Sequence, residues 1–109
     1  MKIAMIVATL FAATLAAQQN AAFAEVAEVK IENYKFQPEK VTVKVGTTVK
    51  WTNNEKRASH SIWFKAERIP ESERMFSGDS WERSFDKPGT YPYTCGPHPE
   101  MQGVVEVTP

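Results

Sequence analysis

Apolar and polar residues alternate with a period of two through most of this chain. Val29-Lys30-Ile31-Glu32, Val41-Thr42-Val43-Lys44-Val45 and Val49-Lys50-Trp51-Thr52 each set apolar side chains on one face and polar ones on the other. That period, with β-branched and aromatic residues in the apolar positions, predicts half-buried antiparallel strands. Residues 60–65, 80–85, 90–94 and 104–107 are further strand candidates. Breakers fall between them: Pro38, Gly46, the polar cluster Asn53-Asn54-Glu55-Lys56-Arg57, Gly78 and Pro88-Gly89. Residues 66–75 depart from the pattern. Ala66-Glu67-Arg68 and Glu71-Ser72-Glu73-Arg74 favour helix but Pro70 interrupts them, which predicts a long loop with at most one helical turn. About seven to eight short strands separated by regular turn signals predict an all-β fold, a Greek-key β-sandwich.

The N-terminus has a different pattern. Met1-Lys2 gives a positive start, residues 3–17 form an almost unbroken apolar run, and Ala22-Phe23-Ala24 ends it with small residues around one position. This is the form of a secretory signal peptide, expected to be cleaved after Ala24. The run is shorter than the roughly 20 apolar residues that a spanning helix needs, so no membrane insertion is expected after cleavage. Residues 25–109 then make one small domain, since no repeat, linker or low-complexity tract divides them. Its core is modest for its surface, and a bound metal would help to hold it. Lys2 is the only basic residue lost with the leader, leaving twelve basic against thirteen acidic residues. No charge excess points to nucleic acid or to anionic lipid.

An exported chain with one cysteine is chemically informative. Cys95 cannot form an internal disulfide, and a free thiol in an oxidising compartment is vulnerable unless it is buried or bound to metal. Cys95 is also the first residue of Cys95-Gly96-Pro97-His98-Pro99-Glu100-Met101. A thiol, an imidazole and a thioether at intervals of three residues can face one centre from a single tight turn, which Gly96 and the two prolines help to shape. The strands predicted on either side would hold that loop firmly. His60, the other histidine, arrives from the start of a predicted strand. One cysteine and two histidines are too few for a four-ligand structural zinc site. They could supply the three ligands of a catalytic zinc, but a thioether in fourth place suits copper, and a Cys, two His and a weak Met are the ligand set of a mononuclear copper electron-transfer centre. A Cys-His hydrolase with Cys95 as nucleophile would need a binding cleft and an oxyanion hole, of which the sequence gives no sign.

Beyond these ligands, Phe36-Gln37-Pro38, Gly46-Thr47-Thr48-Val49-Lys50-Trp51-Thr52-Asn53-Asn54 leading to His60, Lys87-Pro88-Gly89-Thr90-Tyr91 and the 95–101 loop together resemble the cupredoxins. The likeness spans essentially residues 29–107 and is greatest to the amicyanin and pseudoazurin branch of the plastocyanin-like blue copper proteins. The resemblance implies that His60, Cys95 and His98 bind copper roughly trigonally, with Met101 as a long axial ligand. It also implies that Asn54 ties the two ligand loops together. Ser59 and Ser61 depart from the Pro and Asn that usually flank the first histidine of the family, and Glu100 stands where an apolar residue is common. These positions bear on the redox potential and on docking.

The expected function is that of a periplasmic mononuclear blue copper protein shuttling single electrons, and not an enzyme. An oxidase would need further copper sites, and the histidines are exhausted. The alternative is a periplasmic copper carrier or chaperone. By family analogy the partners are redox proteins, a c-type cytochrome, a dehydrogenase or a reductase, met by a monomer through a patch around His98, Pro97 and Pro99.

Overall fold

The computed structural model describes residues 25–109, so the expected signal peptide lies outside the described residues. Seven strands form two sheets: β1 (Val26–Glu32), β2 (Lys35–Gln37), β3 (Lys40–Lys44), β4 (Thr47–Asn53), β5 (Ser80–Phe85), β6 (Gly89–Thr94) and β7 (Gln102–Thr108). One sheet has the order β2-β1-β4-β5 and the other β3-β7-β6, the predicted Greek-key β-sandwich. The pairing is mixed, however, and not wholly antiparallel as the alternation suggested. β1 pairs parallel with β4, and β3 parallel with β7. Period-2 alternation reports a half-buried strand but not its neighbour's direction, and here the chain crosses between sheets before returning beside its earlier strands.

β2 was not expected, because it has only three residues. A two-residue turn creates it: Asn33 and Tyr34 both have positive φ, 54° and 55°, and fold Lys35 back against Glu32. This buries Phe36 and leaves Tyr34 projecting at the end of the sandwich.

Inward positions of both sheets meet in one core that includes Val29, Ile31, Phe36, Val49, Trp51, Phe85, Tyr93 and Val105. β4 alternates without exception, with Thr47, Val49, Trp51 and Asn53 buried. Trp51 joins the sheets: its indole N–H donates to the Tyr93 hydroxyl at 3.0 Å, and the rings meet edge to face at 5.3 Å. Each polar tip satisfies the other, and burial pushes the Tyr93 phenol above its ordinary pKa although the indole opposes the shift.

The strand expected over residues 60–65 is replaced by isolated bridges, His60 to Met75 and Trp63 to Thr94, followed by a 3-10 turn at Lys65–Glu67. Alternate backbone groups here have other partners. The Ser61 N–H points at the Cys95 sulfur, and the Ile62 N–H donates to Ser72 Oγ at 2.9 Å. The loop expected over residues 66–75, with its single helical turn, is present. Arg83 anchors its start by bonding both Glu67 carboxylate oxygens at 2.8 Å while its guanidinium stacks on Phe64 and Phe85, each 4.5 Å away.

Tyr93→Phe keeps the ring but orphans the buried Trp51 indole N–H, which should cost about 1–3 kcal/mol. The expected outcome is a lower urea midpoint with an unchanged slope.

Candidate metal centre

The end of β6 and the beginning of β7 hold residues 95–101 as a loop closed on itself. The Cys95 N–H donates to the Met101 carbonyl at 3.0 Å, and the Met101 N–H to the His98 carbonyl at 2.9 Å. These bonds make one compact turn of the thiol, imidazole and thioether residues. Cys95 is fully buried, Met101 nearly so, and His98 half-buried between Pro97 and Pro99.

His60 reaches this loop from the opposite sheet. Reciprocal bonds with Met75 fix its backbone, N–H to carbonyl at 3.1 Å and the reverse at 2.8 Å. Its ring is wholly buried, with Nδ1 3.5 Å from Cys95 Sγ, and His98 Nδ1 lies 3.6 Å from the same sulfur. All three ligand atoms lie within 4.8 Å of one another. Donors bound to a transition metal at about 2.0–2.3 Å in trigonal or tetrahedral array sit about 3.5–3.8 Å apart, so these three fit an ion between them. The structure thus brings His60, Cys95 and His98 together as the sequence predicted and buries Met101 at the same end of the sandwich.

The surroundings favour neutral donors. Burial, first, and the neighbouring His98, second, push the His60 pKa below 6.5, while Glu55 opposes them. Burial pushes the Cys95 thiol up; the Ser61 and His98 N–H groups and Arg74 pull it back, and Glu71 adds slightly to the rise. A metal ion offers what this pocket withholds, a positive charge that stabilises the thiolate.

Three residues missed by the sequence reasoning shape the site. Asn53, and not the exposed Asn54, is the asparagine that points into the site: its amide donates to the carbonyls of Ala58 at 3.0 Å and Met75 at 2.9 Å. Those bonds brace the His60 loop alone, and the tie between the two ligand loops comes from Ser61. The inward register of β4, with Val49 and Trp51 on the same face, was the available signal for Asn53. Glu55 accepts the Tyr34 N–H at 2.7 Å and stands 3.4 Å from His60 Nε2, which makes no hydrogen bond among the described residues. Tyr34 itself meets His60 and His98 edge-on, with ring centroids 5.4 and 5.0 Å away. Its unusual left-handed conformation left no mark in the residue pattern.

The comparisons with known proteins agree with this geometry. A family model described as a cupredoxin-like domain matches residues 2–107. The chain is 41% identical to amicyanin-alpha of Methylorubrum extorquens over 104 residues, 92% of this chain and 86% of that protein. It is 34% identical to plastocyanin of Scenedesmus fuscus over 84 residues, covering 66% and 85% respectively. Among solved structures, the Cu(I) form of a single-site amicyanin variant superposes with a TM-score of 0.72 at 34% identity, covering 81% of this chain and 88% of that one.

A buried His60 with a depressed pKa has a definite consequence for the metal-free protein. The unfolded chain takes up a proton at this residue near pH 6.5, whereas the folded chain resists doing so. His60 therefore contributes full stability above pH 6.5, and that contribution is lost as the pH falls through this value toward the lower folded pKa. Urea midpoints should decline with acid over that window, and less steeply in His60→Gln.

Proposed function

The chain belongs to the cupredoxin-like family, and we propose that it is a periplasmic shuttle for single electrons whose copper would be held by His60, Cys95 and His98, with Met101 as a weaker fourth ligand. Kinship with amicyanins and plastocyanins makes it a blue copper electron carrier that binds one copper ion. The observation that carries the ligand assignment is the convergence of two imidazole Nδ1 atoms on one buried thiol, at 3.5 and 3.6 Å. Zinc accepts the same three donors, but a thioether as the fourth ligand would favour copper.

Bound copper supplies a one-electron Cu(II)/Cu(I) couple. The chain's own part is to keep the donors in place and dry. His60 is fixed by Met75 and by the Asn53-braced loop, Cys95 by the Met101 carbonyl and the Ser61 N–H, and Met101 by the His98 carbonyl. Donors that cannot relax toward one oxidation state add little reorganisation when the electron moves. The half-buried His98 would give the electron a short way out, and Pro97, Pro99 and the half-exposed Tyr34 surround it with a small apolar rim. Such a rim suits brief docking with a c-type cytochrome, dehydrogenase or reductase, and Glu100, exposed beside it, would bias that choice by charge.

Full burial of Cys95 argues against a nucleophilic thiol, since no substrate carbon could reach it. Export fits the leader pattern and the presence of a single cysteine.

The copper-loaded protein should absorb intensely in the visible through Cys95-to-Cu(II) charge transfer, and the band should vanish on reduction. Cys95→Ser should abolish it, whereas Met101→Leu should keep it and alter the reduction potential. A pale Cu(II) protein, or equal loss of the band in both variants, would contradict these roles.

A further inference from the structure

Ser61 departs from the family's usual residue, and the structure gives the serine a particular partner. Its side chain is wholly buried beside the sulfur-bound turn. Ser61 Oγ accepts the Gly96 N–H at 2.9 Å and donates its own proton to Glu71 Oε2 at 2.5 Å. One residue therefore joins three segments: the loop after His60, the Cys95–Met101 turn, and the long loop of residues 66–75. A hydroxyl that donates to a carboxylate is a stronger acceptor for a second donor, so the Glu71 bond tightens the Gly96 bond.

Glu71 is not at this place by chance of an extended side chain. The next residue, Ser72, donates its N–H to the Ile62 carbonyl at 2.9 Å and accepts the Ile62 N–H through Oγ. This fixes Glu71–Ser72 in register with Ser61–Ile62. The carboxylate then fills the space over Gly96, where a Cβ would collide with the carboxylate and lie 2.7 Å from Ser61 Oγ. Glycine at 96, serine at 61 and glutamate at 71 thus form one interlocked set, each accommodating the other two.

We propose that Glu71 is a positioning residue for the metal-binding turn: through the Ser61 hydroxyl its carboxylate sets the place of Gly96, and with it the start of the Cys95–Met101 loop. The carboxylate is also a negative charge tied to the residue whose N–H points at the Cys95 sulfur, 3.4 Å away. A tethered negative charge at this point favours Cu(II) over Cu(I), so its removal raises the reduction potential.

The test is amide hydrogen exchange at Gly96, followed by NMR on the full-length mature protein as isolated and reduced with ascorbate. Glu71→Ala should speed exchange about fivefold to tenfold, the loss of roughly one hydrogen bond's protection. Glu71→Gln, which still accepts the Ser61 proton, should restore most of the protection. Ser61→Ala should speed exchange at least as much as Glu71→Ala, and the double variant no further than Ser61→Ala alone. In the copper-loaded protein, Glu71→Ala should raise the potential more than Glu73→Ala, which removes an equal charge from the same exposed loop. Unchanged Gly96 exchange in Glu71→Ala, multiplying effects in the double variant, or equal potential shifts from Glu71 and Glu73 would overturn the proposal. Only the potential rests on the copper reading, so a failure at Gly96 exchange counts against Glu71 and leaves copper binding untouched.

Discussion

The hydrogen bond from the Ser61 N–H to the Cys95 sulfur, 3.4 Å long and sealed from water, is the contact on which the site depends. It joins the segment that carries His60 to the loop that carries Cys95, His98 and Met101. Neither segment could hold three soft donors within 4.8 Å of one another by itself. With the bond in place, the donors face a common point. The rest of the molecule makes that bond possible, by bringing two distant segments to one end of a sandwich and leaving the amide next to His60 free of the sheet ladders.

The frame achieves this by tying the sheets together beneath the site. Trp51 and Tyr93, on opposite sheets, share a buried hydrogen bond, and Tyr93 lies two residues before Cys95 on β6. Asn53, two residues beyond Trp51 on the same buried face of β4, braces the His60 loop. Alternation of side chains thus carries one line of residues from the core into the site on each sheet. Arg83, held between aromatic rings and Glu67, keeps the long loop against this frame and so keeps Glu71 and Met75 within reach of the ligands.

Much of this could be read in the residues. β5 was recoverable to its ends and β6 and β7 nearly so, because hydrophobic alternation and Pro-Gly turns mark them locally. The convergence of His60, Cys95 and His98 was recoverable because such donors are scarce, with one cysteine and two histidines in the whole chain. What escaped depends on distance in space and not on local pattern. β2 exists because two non-glycine residues adopt positive φ. The segment after His60 looks like a strand, yet its N–H groups are taken by Cys95 and Ser72. Asn53 and Asn54 are indistinguishable by composition, and only the strand register decides which one points inward. Glu71 belongs to a loop whose sequence says little, and its meaning appears only when Ser61 and Gly96 are beside it.

A site arranged by hydrogen bonds between protein groups should not need its ion in order to form. Crystal structures of the metal-free and copper-loaded protein test this most directly. Cys95 Sγ and the Nδ1 atoms of His60 and His98 should keep their places in both, with the Ser61 to Cys95 hydrogen bond intact. A metal-free structure in which His60 turns away from Cys95, or in which that hydrogen bond is broken, would contradict it.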